Sequence, residues 1–335
     1  MFTRRHLLST TFALGLAAAL GLPAHAQDKL PVVATFSILG DMVASVGGDR
    51  VAVTTLVGPD GDAHVYQPTP ADARALADAK VAFVNGLAFE GWMERLLAAS
   101  EYDGPVVVTT EGVVPLEFHQ EHGQEDESAE ADHDHAHDET AETDHDHEQS
   151  AAGAHAHDHG GVDPHAWQSL ANARLYVANI ADGLIAADPE GTDAYAANRD
   201  AYLAEIDALD AEIRALVESL PENRRAVVTS HDAFGYFGDA YGLTFEAPQG
   251  MSTEAEASAA DVAALIRQIR GEGIPAVFVE NITDRRLLDQ IASETGATIG
   301  GTLYSDALSG PDGPAGTYLD MMRSNIRTLS AALSS

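Results

Sequence analysis

The chain contains no cysteine, which excludes a disulfide framework and a lipid anchor on an N-terminal cysteine. Lysine occurs only at Lys29 and Lys80, and Lys and Arg together number 18 against 53 Asp and Glu. The formal charge of −35 at pH 7 makes nucleic acid and anionic lipid poor partners and attracts cations. A salt-adapted or generally acidic proteome gives the same balance, so charge alone identifies no metal. Beyond the first 26 residues no stretch is apolar and long enough to span a bilayer. The HExxH pair of helix-borne zinc proteases is absent.

The first 26 residues, MFTRRHLLSTTFALGLAAALGLPAHA, have a basic start, an apolar run and Ala24-His25-Ala26 as a small-x-small cleavage site. That pattern is a cleavable secretory signal. Arg4-Arg5 adds a likeness to a twin-arginine motif, so export by either the Sec or the Tat route fits. The mature chain is expected to be periplasmic, soluble and not lipidated. Losing the signal removes Arg4 and Arg5 and no acid, which deepens the negative charge.

Residues 119–160 hold ten His, fourteen Asp or Glu and no Lys or Arg. With no apolar period, the tract cannot bury enough surface to fold alone. Its HxH triplets, around His133, His135, His137, His145, His147, His155, His157 and His159, are a compositional signal for weak metal sites. Three readings of the tract stay open: a collector that hands metal onward, a docking surface for a metallochaperone or sensor, and a solvated spacer.

Elsewhere short apolar strands alternate with helices. Strand-like runs lie at Val32–Ile38, Val51–Val57, Val81–Asn85 and Val106–Thr109, with helical runs at Gly40–Val46, Pro70–Ala79, Phe89–Ala99 and Leu170–Ala187. A second series runs from Ala226–Ser230 through Thr244–Ala247, Ala276–Glu280 and Thr298–Tyr304 to a last helix at Tyr318–Leu333. Such alternation implies an α/β fold of βα units on mainly parallel sheets. Between the series, Asp188-Pro189 opens a long helix with Tyr195, Tyr202, Ile206, Leu209, Ile213, Leu216 and Leu220 on one seam. The seam suits either a strut packed along both halves or a coiled-coil dimer helix. The expected organisation is a signal at 1–26, an N-terminal lobe at 27–187, a linking helix at 188–220 and a C-terminal lobe at 221–335. Each lobe is expected to carry a four-stranded sheet.

Of fifteen His, two precede residue 27 and ten lie in the tract, leaving His64, His165 and His231. His64 follows the second strand, His165 stands at the Asp163-Pro-His-Ala-Trp167 turn, and His231 ends a strand. Carboxyl ends of parallel strands are where ligands bind, and Asp306 occupies another such end. Three imidazoles and a carboxylate are ordinary zinc ligands that close a tetrahedron. Glu280, at the end of its own strand, is the rival for the fourth position. Each of these residues alone would more simply be a capped or surface group; Trp167 and Tyr66 are expected to pack around the site.

His64-Val-Tyr-Gln-Pro, Asp163-Pro-His165-Ala-Trp, Ser230-His231-Asp-Ala-Phe-Gly-Tyr-Phe and Leu303-Tyr-Ser-Asp306, in that order, resemble the zinc/manganese solute-binding proteins of metal ABC transporters. The resemblance covers essentially the whole mature chain. It implies two βα lobes joined by a long backbone helix, with metal between them on His64, His165, His231 and Asp306. The His-rich tract resembles the zinc-importing branch, and manganese members tend to carry Glu where this chain has His231. The chain departs from some zinc members in lacking a C-terminal-lobe disulfide, and some members replace the Asp306 ligand by water or another acid.

The function expected from residues and resemblance together is that of a non-catalytic periplasmic Zn²⁺ receptor. It would act as a monomer, with an inner-membrane ABC permease and a periplasmic zinc metallochaperone as partners. A manganese receptor on the same fold and a secreted zinc hydrolase are the competing readings.

Overall fold

The computed structural model describes residues 28–117 and 161–334. The signal at 1–26 and the tract's histidines (His133, His135, His137, His145, His147, His155, His157 and His159) lie outside the described residues.

Two parallel sheets form the frame. The first holds β1 (Leu30–Phe36), β2 (Val51–Val57), β3 (Val81–Val84) and β4 (Val106–Val108) in the order β2-β1-β3-β4. The second holds β5 (Ala226–Val228), β6 (Thr244–Glu246), β7 (Ala276–Glu280) and β8 (Thr298–Leu303) in the matching order β6-β5-β7-β8. Every pairing is parallel. All of β3 and most of β1 are buried, as helix-covered parallel strands must be, which is why they read as continuous apolar runs. Strand order reverses between β1 and β3 and again between β5 and β7. Loops leaving the carboxyl ends diverge at such points and open a crevice; the crevices of the two sheets face each other across the site.

The first half carries α1 (Ser37–Gly47), α2 (Pro70–Asp78), α3 (Met93–Ser100) and α4 (Leu170–Ala187). The second carries α6 (Gly235–Tyr241), α7 (Ala259–Glu272), α8 (Arg286–Thr295) and α9 (Tyr318–Leu333). Helix α3 starts later than the apolar pattern predicts. Gly86, Leu87 and Ala88 take left-handed φ values of 89, 52 and 60°. The Glu90 carboxylate then folds back to accept the Asn85 N–H at 2.6 Å, the Gly86 N–H at 3.2 Å and the Thr35 hydroxyl at 2.6 Å. That turn uses Phe89 and Trp92 as buried anchors and postpones the helix to Met93.

Between the halves runs α5 (Thr192–Glu218), 27 residues long, about 40 Å at 1.5 Å per residue. Its start differs from expectation. Asp188 makes no capping bond; it pairs with Arg50 at 2.7 Å and accepts from the Tyr195 hydroxyl at 2.8 Å, and a short 3₁₀ turn at Pro189–Gly191 precedes the helix. Tyr195, Tyr202, Ile206, Leu209 and Ile213 are buried as the seam requires, with Val217 rather than Leu216 as the next member. The seam packs on α1 and α4 of one half and on α9 and α6 of the other. It is filled within the chain, as a strut demands and a coiled-coil dimer helix does not.

One hydrophobic core runs from the first sheet through α4, α5 and α9 into the second half, and a smaller one lies under α7 and α8. The chain after β8 also crosses back: Leu308 N–H donates to Ser37 Oγ at 2.9 Å, Asp60 N–H to the Leu308 carbonyl at 2.8 Å, and Tyr318 N–H to Asp41 Oδ2 at 2.8 Å. Among the described residues no helix is long and apolar enough to cross a membrane.

Candidate metal centre

His64, His165, His231 and Asp306 come together at the facing crevices, each offering one ligand atom, all within 4.8 Å of one another. Asp306 Oδ2 lies 3.0 Å from His64 Nε2 and 3.2 Å from His231 Nε2, and its Oδ1 lies 3.6 Å from His165 Nε2. The His64 and His165 Nε2 atoms are 3.3 Å apart. Three imidazoles thus present the same nitrogen to one point. His231 Nε2 and both Asp306 carboxylate oxygens are buried without a hydrogen-bond partner. Buried orphans of that kind are costly unless a cation fills the space between them.

Each side chain is positioned from behind. His165 N–H donates to Asp163 Oδ1 at 2.9 Å, and the same oxygen lies 2.8 Å from His165 Nδ1. Asn85 Nδ2 fixes the turn by donating to the Pro164 carbonyl at 2.9 Å. Glu280 accepts the Ser230 and His231 N–H groups on Oε1 at 2.8 and 2.9 Å and sets Oε2 2.6 Å from His231 Nδ1. A carboxylate behind an imidazole favours the proton on Nδ1, which leaves Nε2 available to a metal whenever the ring is neutral. Asp306 is held by its main chain: Asn325 on α9 exchanges two hydrogen bonds with Tyr304, and the Ser305 carbonyl accepts Trp167 Nε1–H and Gln168 Nε2–H, both at 2.9 Å. His64 stands edge-on to Phe89 at 4.9 Å, and Trp92 Nε1–H donates to the preceding Ala63 carbonyl at 2.8 Å.

Gly235 packs closely here. A Cβ at that position would sit 2.6 Å from Asp163 Oδ2, so a larger residue would displace the carboxylate behind His165 or the start of α6.

The electrostatics are those of a strongly coupled buried cluster. Burial works against a charged His165, but the Asp306 and Asp163 carboxylates outweigh it and raise its pKa to about 9. Burial likewise opposes charge on His231, and Glu280 and Asp306 raise its pKa well above the usual imidazole value. Asp306 stays well below the carboxylate range despite burial, because His165 and His231 face it. Without metal, protons take the place of the missing positive charge.

The structure separates the two rivals for the fourth position: Asp306 faces the Nε2 atoms, whereas Glu280 stands behind His231 on its Nδ1 side. Trp167 packs against the site as expected, fully buried and 5.3 Å from the His165 ring. Tyr66 stands one layer further out, 5.2 Å from the Trp92 ring, and donates to Asp72 at 2.8 Å. Sequence reasoning missed Asp163 and Asp62 as partners. A signal was present: Asp62-Ala-His64 and Asp163-Pro-His165 share one D-x-H spacing, which suits an Asx turn closing on the His amide.

Two α/β halves around a buried nitrogen–carboxylate pocket, tied by one long helix, define a metal-capturing receptor. Residues 32–332 match the family described as ZnuA, zinc-uptake complex component A, periplasmic, and the chain belongs to that family of substrate-binding receptors of metal ABC transporters. It is 32% identical over 308 residues to the manganese-binding lipoprotein MntA of Halalkalibacterium halodurans, covering 92% of this chain and 89% of that protein. Against the iron-binding protein YfeA of Yersinia pestis it is 31% identical, covering 92% and 87%. Among solved structures, the periplasmic zinc-binding protein TroA from Treponema pallidum superposes with a TM-score of 0.75 at 29% identity, covering 91% of this chain and 99% of that one. A manganese-bound periplasmic metal-binding protein from Candidatus Liberibacter asiaticus gives 0.72 at 30% identity, covering 90% and 98%. The protein is thus a metal-binding substrate receptor of an ABC transporter, with an ABC permease as its partner. The relatives' names divide among manganese, iron and zinc, so kinship does not choose the metal.

Proposed function

We propose that this protein is an exported, non-catalytic receptor that captures Zn²⁺ on His64, His165, His231 and Asp306 and delivers it to an inner-membrane permease. The observation behind this reading is the convergence of three buried Nε2 atoms on one carboxylate. A nitrogen-rich, four-donor set suits tetrahedral zinc, whereas manganese prefers more oxygen and a larger shell. Copper(II) would bind such donors more tightly still, so selectivity against it rests on geometry and supply. Manganese is the second reading, favoured by the MntA likeness and by an Asp306 whose two free oxygens allow bidentate contact. A hydrolase needs an open water position, and Asp306 stands where that water would go.

The tract's histidines, His133 through His159, are proposed as weak secondary sites that feed the centre. In support, the tract's flanks lie side by side near His165, through the Glu117–Val162 bridge and the Asp163 N–H bond to the Leu116 carbonyl at 2.9 Å. Export is proposed to follow cleavage after Ala26. MntA is named a lipoprotein, whereas this sequence contains no cysteine, and export without acylation is part of the proposal. A monomeric state and a metallochaperone partner complete the proposal. Competition of Zn²⁺ and Mn²⁺ against a chromophoric chelator tests the site: tight zinc binding abolished by His165→Ala supports it, and tight binding indifferent to that change refutes it.

A further inference from the structure

The two D-x-H turns are alike in one contact and different in the next. In each, the Asp Oδ1 accepts the main-chain N–H of its own His at 2.9 Å. Asp163 uses that oxygen again on the His165 ring. Asp62 instead turns its Oδ2 toward the other half, where the Thr253 hydroxyl donates to it at 2.6 Å. Thr253 lies in the segment after β6, and the start of that segment is fixed on another candidate ligand. His231 forms a parallel bridge with Gln249, and Asp232 N–H donates to the Gly250 carbonyl at 3.2 Å. Residues 249–253 therefore form a strap from the main chain of His231 to the carboxylate that holds His64.

The strap is placed where it can control release. His64 is 9% exposed while His165, His231 and Asp306 are 0%, so His64 is the ligand on the solvent side of the centre. Asp62, Gln249 and Thr253 also line a cavity of about 550 Å³, which gives the strap open space on one side instead of packed core. The same loop has two other cross-half bonds, Asp60 N–H to the Leu308 carbonyl at 2.8 Å and Asn281 Nδ2–H to Asp60 Oδ1 at 3.0 Å. Both bind it to segments flanking Asp306 and Glu280, which sit deep. Among the described residues, the Thr253–Asp62 hydrogen bond joins it to the strap.

We propose that Asp62 and Thr253 are positioning residues that latch His64 in place and slow the release of bound metal, an inference that rests on the zinc-receptor reading. Opening the hydroxyl–carboxylate bond frees Asp62, and with it the turn that holds the His64 amide, while the three deeper ligands keep their supports. A hydrogen bond to a charged group in this range corresponds to about a tenfold change in an equilibrium or rate when lost.

The test is the rate at which zinc-loaded full-length protein gives up Zn²⁺ to excess EDTA. Thr253→Val, which keeps the side chain's shape and removes its hydroxyl, is expected to release zinc about tenfold faster. Its metal-free melting temperature should fall by no more than a few degrees, and Thr253→Ser should restore slow release. A purely structural Thr253 would lower the melting temperature without accelerating release. Wild-type release from Thr253→Val, or failure of Thr253→Ser to restore it, overturns the latch while leaving the receptor intact. Absence of tight zinc binding in the wild type would refute the receptor reading itself, and the latch with it.

Discussion

Replacing Glu280 by Gln probes the support behind the centre without touching a candidate ligand. Glu280 is 1% exposed, and its Oε1 accepts two main-chain N–H groups that glutamine's carbonyl oxygen can still accept. The change falls on Oε2, 2.6 Å from His231 Nδ1. An amide NH₂ placed there would face the Nδ1–H, so His231 would shift its proton to Nε2 and lose the lone pair aimed at the metal. Loss of such a support lowers metal affinity by roughly 10- to 100-fold, or about 1.4–2.8 kcal/mol. Glu280 also helps hold a proton on His231 in the metal-free protein, and that proton competes with metal in the wild type. The variant's deficit should therefore be smallest at low pH and grow as pH rises. Competition against a chelator at several pH values measures both effects. A Glu280→Gln protein that binds zinc like the wild type across the range would show that Glu280 does not set the His231 tautomer.

Gly235→Ala should weaken zinc binding through Asp163, because the new Cβ would stand 2.6 Å from its Oδ2; isothermal titration should show the loss, and Asp163→Asn should add little to it. Zinc affinity should fall as pH drops below about 9, the pKa to which His165 is raised, by ~tenfold per pH unit for each proton displaced. The same shift stabilises the metal-free fold below the unfolded imidazole pKa and is lost as pH rises through about 9, so apo melting temperature should decline there. Burial raises Asp41 to about 6, so its ionised form costs stability that returns as pH falls from about 6 toward 4, on the order of 2 kcal/mol. Asp41→Asn keeps an acceptor for Tyr318 N–H and should melt higher than wild type at pH 8, with the gain gone at pH 4.

Much of the fold was legible because its signals are local. Leu170–Ala187, Ala276–Glu280 and Tyr318–Leu333 are bounded as their apolar patterns indicate, since buried β-branched runs and helical stripes are fixed by neighbours a few residues away. The late start of α3 was not legible, because it depends on Glu90 reaching back to Asn85 and Gly86. Nor was the return of Leu308 to Ser37, 271 positions away. The three imidazoles could be placed at strand and turn ends, but strand ends do not reveal what they face. Glu280 and Asp306 look alike in sequence, and only packing puts one behind His231 and the other before it. The supporting role of Asp163 was written in its spacing to His165, whereas the Thr253–Asp62 contact joins segments with no shared pattern.

The central claim is that metal binds at the four converging side chains and that zinc is preferred. The most direct measurement is a competitive titration of metal-free mature protein with Zn²⁺ and Mn²⁺, beside a form lacking residues 119–160 and the His165→Ala variant. The account predicts one tight zinc site in both the intact and shortened forms, abolished by His165→Ala, with further weak sites only in the intact chain. Tight binding that leaves with the tract and survives His165→Ala, or a tight site that prefers Mn²⁺, would contradict it.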